Sequence, residues 1–139
     1  MTVSFLAPEA KSRGVVLRSR LTDAPMRVSG NPIQFEQVLS NLILNAMDAM
    51  SDTAQLEKVV TVETAKHDDF AEVSVADTGP GVSPDALEKI FDPFYSTKEH
   101  GMGMGLSIVR TIVEAHHGNI RVETGHHGGA VFRVSLPLA

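Results

Sequence analysis

Three short stretches of this sequence combine residue types and spacings that suit chemistry. In NLILNAMDAM (41–50), Asn41, Asn45 and Asp48 recur at intervals of four and three, which sets them on one stripe of a helix. Asn45 offers a neutral oxygen, a donor suited to Mg²⁺, which keeps its waters and shares phosphate oxygens. In DTGPGVS (77–83), an ionised Asp77 only accepts hydrogen bonds, so it can take the exocyclic amine of a purine. Gly79 and Gly81 would let the backbone approach the flat face of a base. In GMGMGLSIVR (101–110), Gly101, Gly103 and Gly105 alternate ahead of an unbroken apolar run. A glycine-rich loop that opens a helix gathers free N–H groups at the positive end of the helix dipole, which favours an anion. Each stretch alone has a plainer reading as well: a buried helix whose amides bond nearby backbone, an Asx turn, and a slack loop. The third is neither a P-loop, lacking GK[ST], nor spaced like a dinucleotide fingerprint.

The elements that must carry these residues follow from periodicity. Val38, Leu39, Leu42, Ile43, Ala46 and Ala49 recur at three and four, so a helix runs from Ile33 to about Ser51. Asn31 is placed as its N-cap and Pro32 as its first residue. VVTVETAK (59–66) and FAEVSVAD (70–77) alternate as strands around an HDD turn, so Asp77 closes a strand. Ser83-Pro84 starts a short helix through Ile90, residues 91–104 form a long loop, and 105–117 a helix capped by Gly118. NIRVET and AVFRVSLP form a hairpin across GHHGG. Upstream, VVLRSR (15–20) and MRVSG (26–30) read as short strands, and 1–14 as a lead-in that starts with a strand. The fold class is α+β: a two-layer sandwich with a mixed, mostly antiparallel sheet of about five strands under about three helices. With no repeat or long linker, 1–139 is expected to be a single domain.

Composition excludes several classes. The 139 residues are 42% hydrophobic and 21% charged, an ordinary globular balance. There is no cysteine, so no disulfide or thiolate–metal framework is available, which suits a reducing, cytoplasmic setting. No apolar run reaches membrane-spanning length, and the N-terminus lacks a signal-peptide pattern. A formal net charge of −5 argues against broad nucleic-acid binding but leaves room for an anionic ligand at a helix N-terminus or bound metal. Met47 and Met50 read as packing residues, and the pairs His116-His117 and His126-His127 as structural or solvated, since adjacent histidines offer little ligand geometry.

Taken in order, NLILNAMDA, DTGPGV, IFDPFYSTK (90–98), GMGMGLSIV and the terminal GGAVFRVSLP resemble the ATP-binding catalytic domain of sensor histidine kinases. These belong to the superfamily that also holds the Hsp90, gyrase B and MutL ATPase domains. The resemblance runs from about residue 15 to 137, and PFYSTK is the part typical of the kinases. It implies the Bergerat-type ATP-binding fold and the cofactors ATP and Mg²⁺. By the same resemblance, Asn41 to Ala49 match the N box, with Asn45 as the Mg²⁺ ligand and Asp48 facing the same site. Asp77 matches the adenine-reading carboxylate, with Gly79, Gly81 and Val82 lining the base pocket. Phe91 and Phe94 match an aromatic box, Phe94 anchoring an ATP lid at 91–105. Thr97 and Lys98 lie in that lid, and Lys98 would reach the terminal phosphate as a point charge. Gly101, Gly103 and Gly105 match the second glycine box, where the backbone of Met104, Gly105 and Leu106 would face the phosphates.

Two departures stand out. The family often has Gly-Thr near the last strand, where this chain has Gly129-Ala130. No His-Glu-x-x-x-Pro phosphoacceptor motif is present, so the implied partner is a phosphoacceptor histidine domain outside this chain, and through it a response regulator. Asn41 stands where the ATPase branches carry a general-base Glu. An amide takes up no proton near neutral pH, which favours transfer to an imidazole over hydrolysis. The alternatives are an ATPase or serine kinase of the same superfamily, or a nucleotide-sensing interaction module without catalysis. Neither nucleic acid nor direct membrane contact is expected.

Overall fold

A computed structural model describes residues 7–24, 26–51, 58–84, 89–91, 105–125 and 128–139. Along the chain these form α1 (Ala7–Ser12), β1 (Val16–Arg20), α2 (Pro32–Ser51), β2 (Val59–Lys66), β3 (Phe70–Asp77), α3 (Gly105–Ala115), β4 (Asn119–Thr124) and β5 (Ala130–Pro137). The five strands make one sheet in the order β1-β2-β3-β5-β4. β1 pairs parallel to β2 across the α2 crossover, and all other pairs are antiparallel.

Alternation along the strands sends one set of side chains to the helices and the other outward. Val60, Val62, Val75, Phe132 and Val134 face inward and are buried with Leu39, Leu42, Ile43, Met47 and Met50 of α2 and with Val109 and Val113 of α3. The outer face is polar, as an antiparallel sheet with one wet side requires. There Glu72 pairs with Arg133 and Arg121, and Arg133 also holds Glu123. On α2 the apolar stripe differs from its expected form at one end. Met47 and Met50 are fully buried, whereas Ala49 is only half-buried and turns its carbonyl toward Gly79.

α2 begins as expected. Asn31 Oδ1 accepts from the N–H groups of Ile33 (2.9 Å) and Gln34 (3.3 Å), satisfying two donors the helix leaves free. His116, at the end of α3, closes over this start. Its Nδ1 bonds the Ile112 carbonyl at 2.8 Å, its Nε2 accepts from Asn31 N–H at 3.4 Å, and its ring tilts against Phe35. The two bonds together suit the tautomer with the proton on Nδ1.

Two expectations, one upstream and one at the α3 terminus, need correction. The strand expected to start the lead-in falls outside the described residues, and the described part that follows is a helix, α1, whose Ala10 is buried in the core. Residues 26–30 are not a strand: Arg27 C=O accepts one bond, from Ala139 N–H, and Val28 packs against the core instead of joining the sheet ladder. At the end of α3, Gly118 is not the residue in the left-handed conformation. His117 holds it, with φ 63°, inside a Schellman motif closed by Gly118 N–H to Val113 C=O and His117 N–H to Glu114 C=O. The reason is packing. A Cβ on Gly118 would lie 2.4 Å from the Ser135 carbonyl oxygen of β5, so the glycine is used for close approach and the histidine takes the turn. The short helix expected at 84–90 and the loop at 91–104 fall largely outside the described residues.

These constraints predict opposite effects at neighbouring positions. Gly118→Ala is expected to destabilise the domain, while His117→Gly is neutral to slightly stabilising, as relief of a left-handed non-glycine residue, about 1 kcal/mol, implies. Urea unfolding of the two variants checks this. Leu42→Ala, which empties a fully buried site, is expected to lower stability by about 2–5 kcal/mol in the same assay.

Candidate functional site

Asp77 stands at the last position of β3, paired in register with Val60, and is buried. Its Oδ1 accepts two backbone N–H groups, from Gly79 at 2.9 Å and from Ala130 at 3.2 Å. The Gly79 bond is the Asx turn of the plainer reading. It occupies one oxygen only, which leaves Oδ2 as the oxygen able to accept from a ligand. Burial pushes the Asp77 carboxyl above its ordinary value of 3.8, and the two N–H bonds offset only part of that effect.

The loop after Asp77 is clamped by three elements. Thr78 Oγ1 accepts from Val59 N–H at 3.0 Å, at the start of β2, and sits 3.5 Å from Met50 Sδ on α2. Gly79 is buried against the α2 terminus, where an added Cβ would meet Met50 Cγ and Asp77 Oδ1, both at 3.1 Å. Gly81 has φ 81°, and its Cβ would lie 2.4 Å from the Gly128 carbonyl oxygen. Gly129 is tighter still, for its Cβ would fall 1.8 Å from the Asp77 carbonyl oxygen. Glycines from two distant turns therefore bring the β3 end, the β4–β5 turn and the last turn of α2 into backbone contact. Val82 then packs against the core.

Asn41 and Asn45 are half-buried on α2, and neither side-chain amide is hydrogen-bonded within the described residues. The plainer reading, in which both amides satisfy nearby backbone, is not realised. Asp48, on the same stripe, is held by Arg13 Nη1 at 2.6 Å, a partner that no local pattern reveals because 35 residues separate them. Gly105 opens α3, and an added Cβ there would meet nothing within 4 Å among the described residues, so their packing does not require glycine. Leu106 rests on the edge of the core, and Phe91 sets its ring edge-on to Phe132, with centroids 6.3 Å apart. Phe94, Thr97, Lys98, Gly101, Gly103 and Met104 lie outside the described residues.

A second concavity is separate from these groups. An apolar cavity of about 270 Å³ lies between the first half of α2 and the sheet, lined by residues such as Phe35, Leu39, Leu42, Val73 and Leu136. It contains none of the candidate residues, and its chemistry is that of a core end rather than of a polar site.

Residues 30–139 match the family model described as histidine kinase-, DNA gyrase B- and HSP90-like ATPase. The chain belongs to that family. It is 44% identical over 130 residues to the sensor protein FixL of Bradyrhizobium diazoefficiens, covering 94% of this chain and 26% of that protein. It is 41% identical over 136 residues to the C4-dicarboxylate transport sensor protein DctS of Rhodobacter capsulatus, covering 98% and 21%. The chain thus spans about a quarter of the length of these curated relatives. Among solved structures it superposes on the catalytic domain of histidine kinase ThkA with a TM-score of 0.84 at 30% identity, covering 96% of this chain and 86% of that one. Full-length ShkA in complex with AMPPNP matches with a TM-score of 0.84 at 29% identity, covering 98% and 28%. Sheet order, helix layer and family thus agree with the α+β sandwich and the histidine-kinase type of catalytic domain that the motifs resemble.

The geometry around Asp77 yields two predictions. Gly129→Ala is expected to displace the β4–β5 turn from Asp77, seen as loss of amide-exchange protection at Ala130 and lower stability. For Asp77, the folded value lies above the unfolded one. Ionising it therefore lowers stability as pH rises from about 3.8 through the folded value. Asp77→Asn is thus expected to be more stable than the parent at pH 7 and to lose that advantage below about pH 3.8, by urea unfolding across pH.

Proposed function

We propose that this chain is the Mg·ATP-binding catalytic domain of a two-component histidine autokinase, a single unit over 1–139 with an ATP lid at 91–105. It hands the γ-phosphoryl group to a histidine on a phosphoacceptor domain outside this chain. The observation that carries the reading is Asp77, whose Oδ1 is fixed by two backbone bonds while Oδ2 is left to accept an exocyclic amine. Two further features support it. Among the described residues the Asn45 amide has no hydrogen-bond partner, which fits a neutral oxygen ligand for Mg²⁺, and the Mg²⁺ would neutralise phosphate charge when bound. The open space over Gly105 fits close approach of phosphate to the first turn of α3.

On this reading each residue has a physical task. Asp77 reads the base, and Gly79, Gly81 and Val82 shape the slot beside it. Met104, Gly105 and Leu106 direct N–H groups and the α3 dipole at the phosphates, Lys98 adds a point charge, and Phe94, Thr97, Gly101 and Gly103 belong to the lid and its hinge. Asn41 lies where a general base would serve water, and an amide cannot take a proton there, so the domain favours transfer to an imidazole nucleophile over hydrolysis. ThkA has been solved in complex with the response regulator protein TrrA, and a response regulator is the proposed downstream partner here. None of the described helices is long and apolar enough to cross a membrane, and the domain is proposed to work on the cytoplasmic side.

Titration calorimetry with AMPPNP, with and without Mg²⁺, tests the proposal. The 139-residue chain is expected to bind the nucleotide, more tightly with Mg²⁺, yet to incorporate no phosphate until a histidine-bearing phosphoacceptor domain is added. Absence of binding at millimolar nucleotide overturns the reading, and fast turnover of ATP by the chain alone overturns the choice of transfer over hydrolysis. Gly105→Ala is expected to keep or raise thermal stability while weakening AMPPNP binding roughly tenfold, as overpacking by about 1–3 kcal/mol implies.

A further inference from the structure

Arg13 follows α1 directly, and its guanidinium joins two carboxylates. Nε donates to Glu9 Oε1 at 2.7 Å, one helical turn back, and Nη1 donates to Asp48 Oδ1 at 2.6 Å on α2. The arginine is set in place by backbone. Its N–H bonds the Glu9 and Ala10 carbonyls, Val15 N–H bonds Ala10 C=O at 2.8 Å, and Ala10 itself is buried in the core. Glu9 aims the guanidinium, so the fork reaches Asp48 pre-oriented. The pair is half-exposed, with the Asp48 side chain at 47%, and pairs of that kind add little to stability. Its effect lies instead in where it places charge. Asp48 shares the stripe of Asn41 and Asn45, and an uncompensated carboxylate on that stripe repels a polyphosphate. The matched family segment starts at residue 30, so Arg13 reaches this stripe from outside it.

We propose that Arg13 is a positioning residue for nucleotide binding: by pairing with Asp48 it cancels the carboxylate charge on the phosphate-side stripe of α2 and ties that stripe to α1. This rests on the nucleotide reading of the site given above. Arg13 does not touch nucleotide; it acts through Asp48. The electrostatic role has a signature that a packing role lacks, because it scales with ligand charge and is screened by salt.

The test compares adenosine, ATP in EDTA and Mg·AMPPNP as ligands of the parent chain, Arg13→Ala, Arg13→Lys and Arg13→Ala combined with Asp48→Asn. Arg13→Ala is expected to weaken ATP binding in EDTA about fivefold at low salt, the upper end for one exposed ion pair, and Mg·AMPPNP less. Adenosine affinity stays at the parent value, and the loss fades at high salt. Arg13→Lys retains most of the affinity, and removing the Asp48 charge in the Arg13→Ala background restores it. Equal loss for all three ligands, no loss for any, or failure of both rescues overturns the proposal while leaving the nucleotide reading intact. A parent chain that binds neither adenosine nor ATP overturns that reading and this inference with it.

Discussion

Two N–H groups, from Gly79 and Ala130, end on one oxygen of the buried Asp77 carboxylate, and the rest of the molecule is arranged so that they can. Burying a charged group is expensive unless donors meet it. Here the donors come from a turn two residues away and from a strand start 53 residues away. Bringing the second donor in requires β5 beside β3, and it requires Gly129 to pass the Asp77 carbonyl at a distance that admits no side chain. Bringing the first in requires a turn packed under the last turn of α2. The sheet order, the α2 crossover and three glycines are thus conditions of one carboxylate's solvation.

On the proposed reading, that carboxylate divides its two oxygens between architecture and recognition. One oxygen serves the fold and holds the side chain in a fixed rotamer. The other keeps its lone pairs for what arrives, already oriented, so binding spends little on ordering the group. The burial that makes the acid harder to ionise also makes it a stronger hydrogen-bond acceptor once ionised, because the surrounding dielectric is low. Stability and function pull in opposite directions at this residue, a common arrangement where a buried polar group does chemistry.

Local features were legible in the sequence because local forces write them. The Asn31-Pro32 start of α2, the 59–66 and 70–77 hairpin and the β4–β5 pair all follow from periodicity and turn chemistry, and the structure matches them closely. Order among motifs carried the family as well, since NLILNA, DTGPG and GMGMGL are each weak alone, and PFYSTK is the part typical of the kinases. What failed had a non-local cause. Met26 and Val28 alternate like a strand but cover a core end. Gly118 looked like a cap until Ser135 of β5 claimed its missing side chain. Ala130 offers no polar side chain, yet its backbone N–H, which no sequence comparison of side chains displays, reaches Asp77. Arg13 and Asp48 meet only through the tertiary fold, 35 residues apart in the chain.

His116 gives the helix layer an asymmetry with mechanical consequences. Its ring joins one end of α3 to the start of α2 through bonds on both nitrogens, while at the other end an added Cβ on Gly105 would meet nothing within 4 Å among the described residues. A helix of 11 residues is about 16 Å long. Val109, Ile112 and Val113 seat this helix in the core, and Leu106 packs against the same core near its start. The ring that looks like a surface histidine beside a turn therefore acts as a clasp between two helices that the core already holds together.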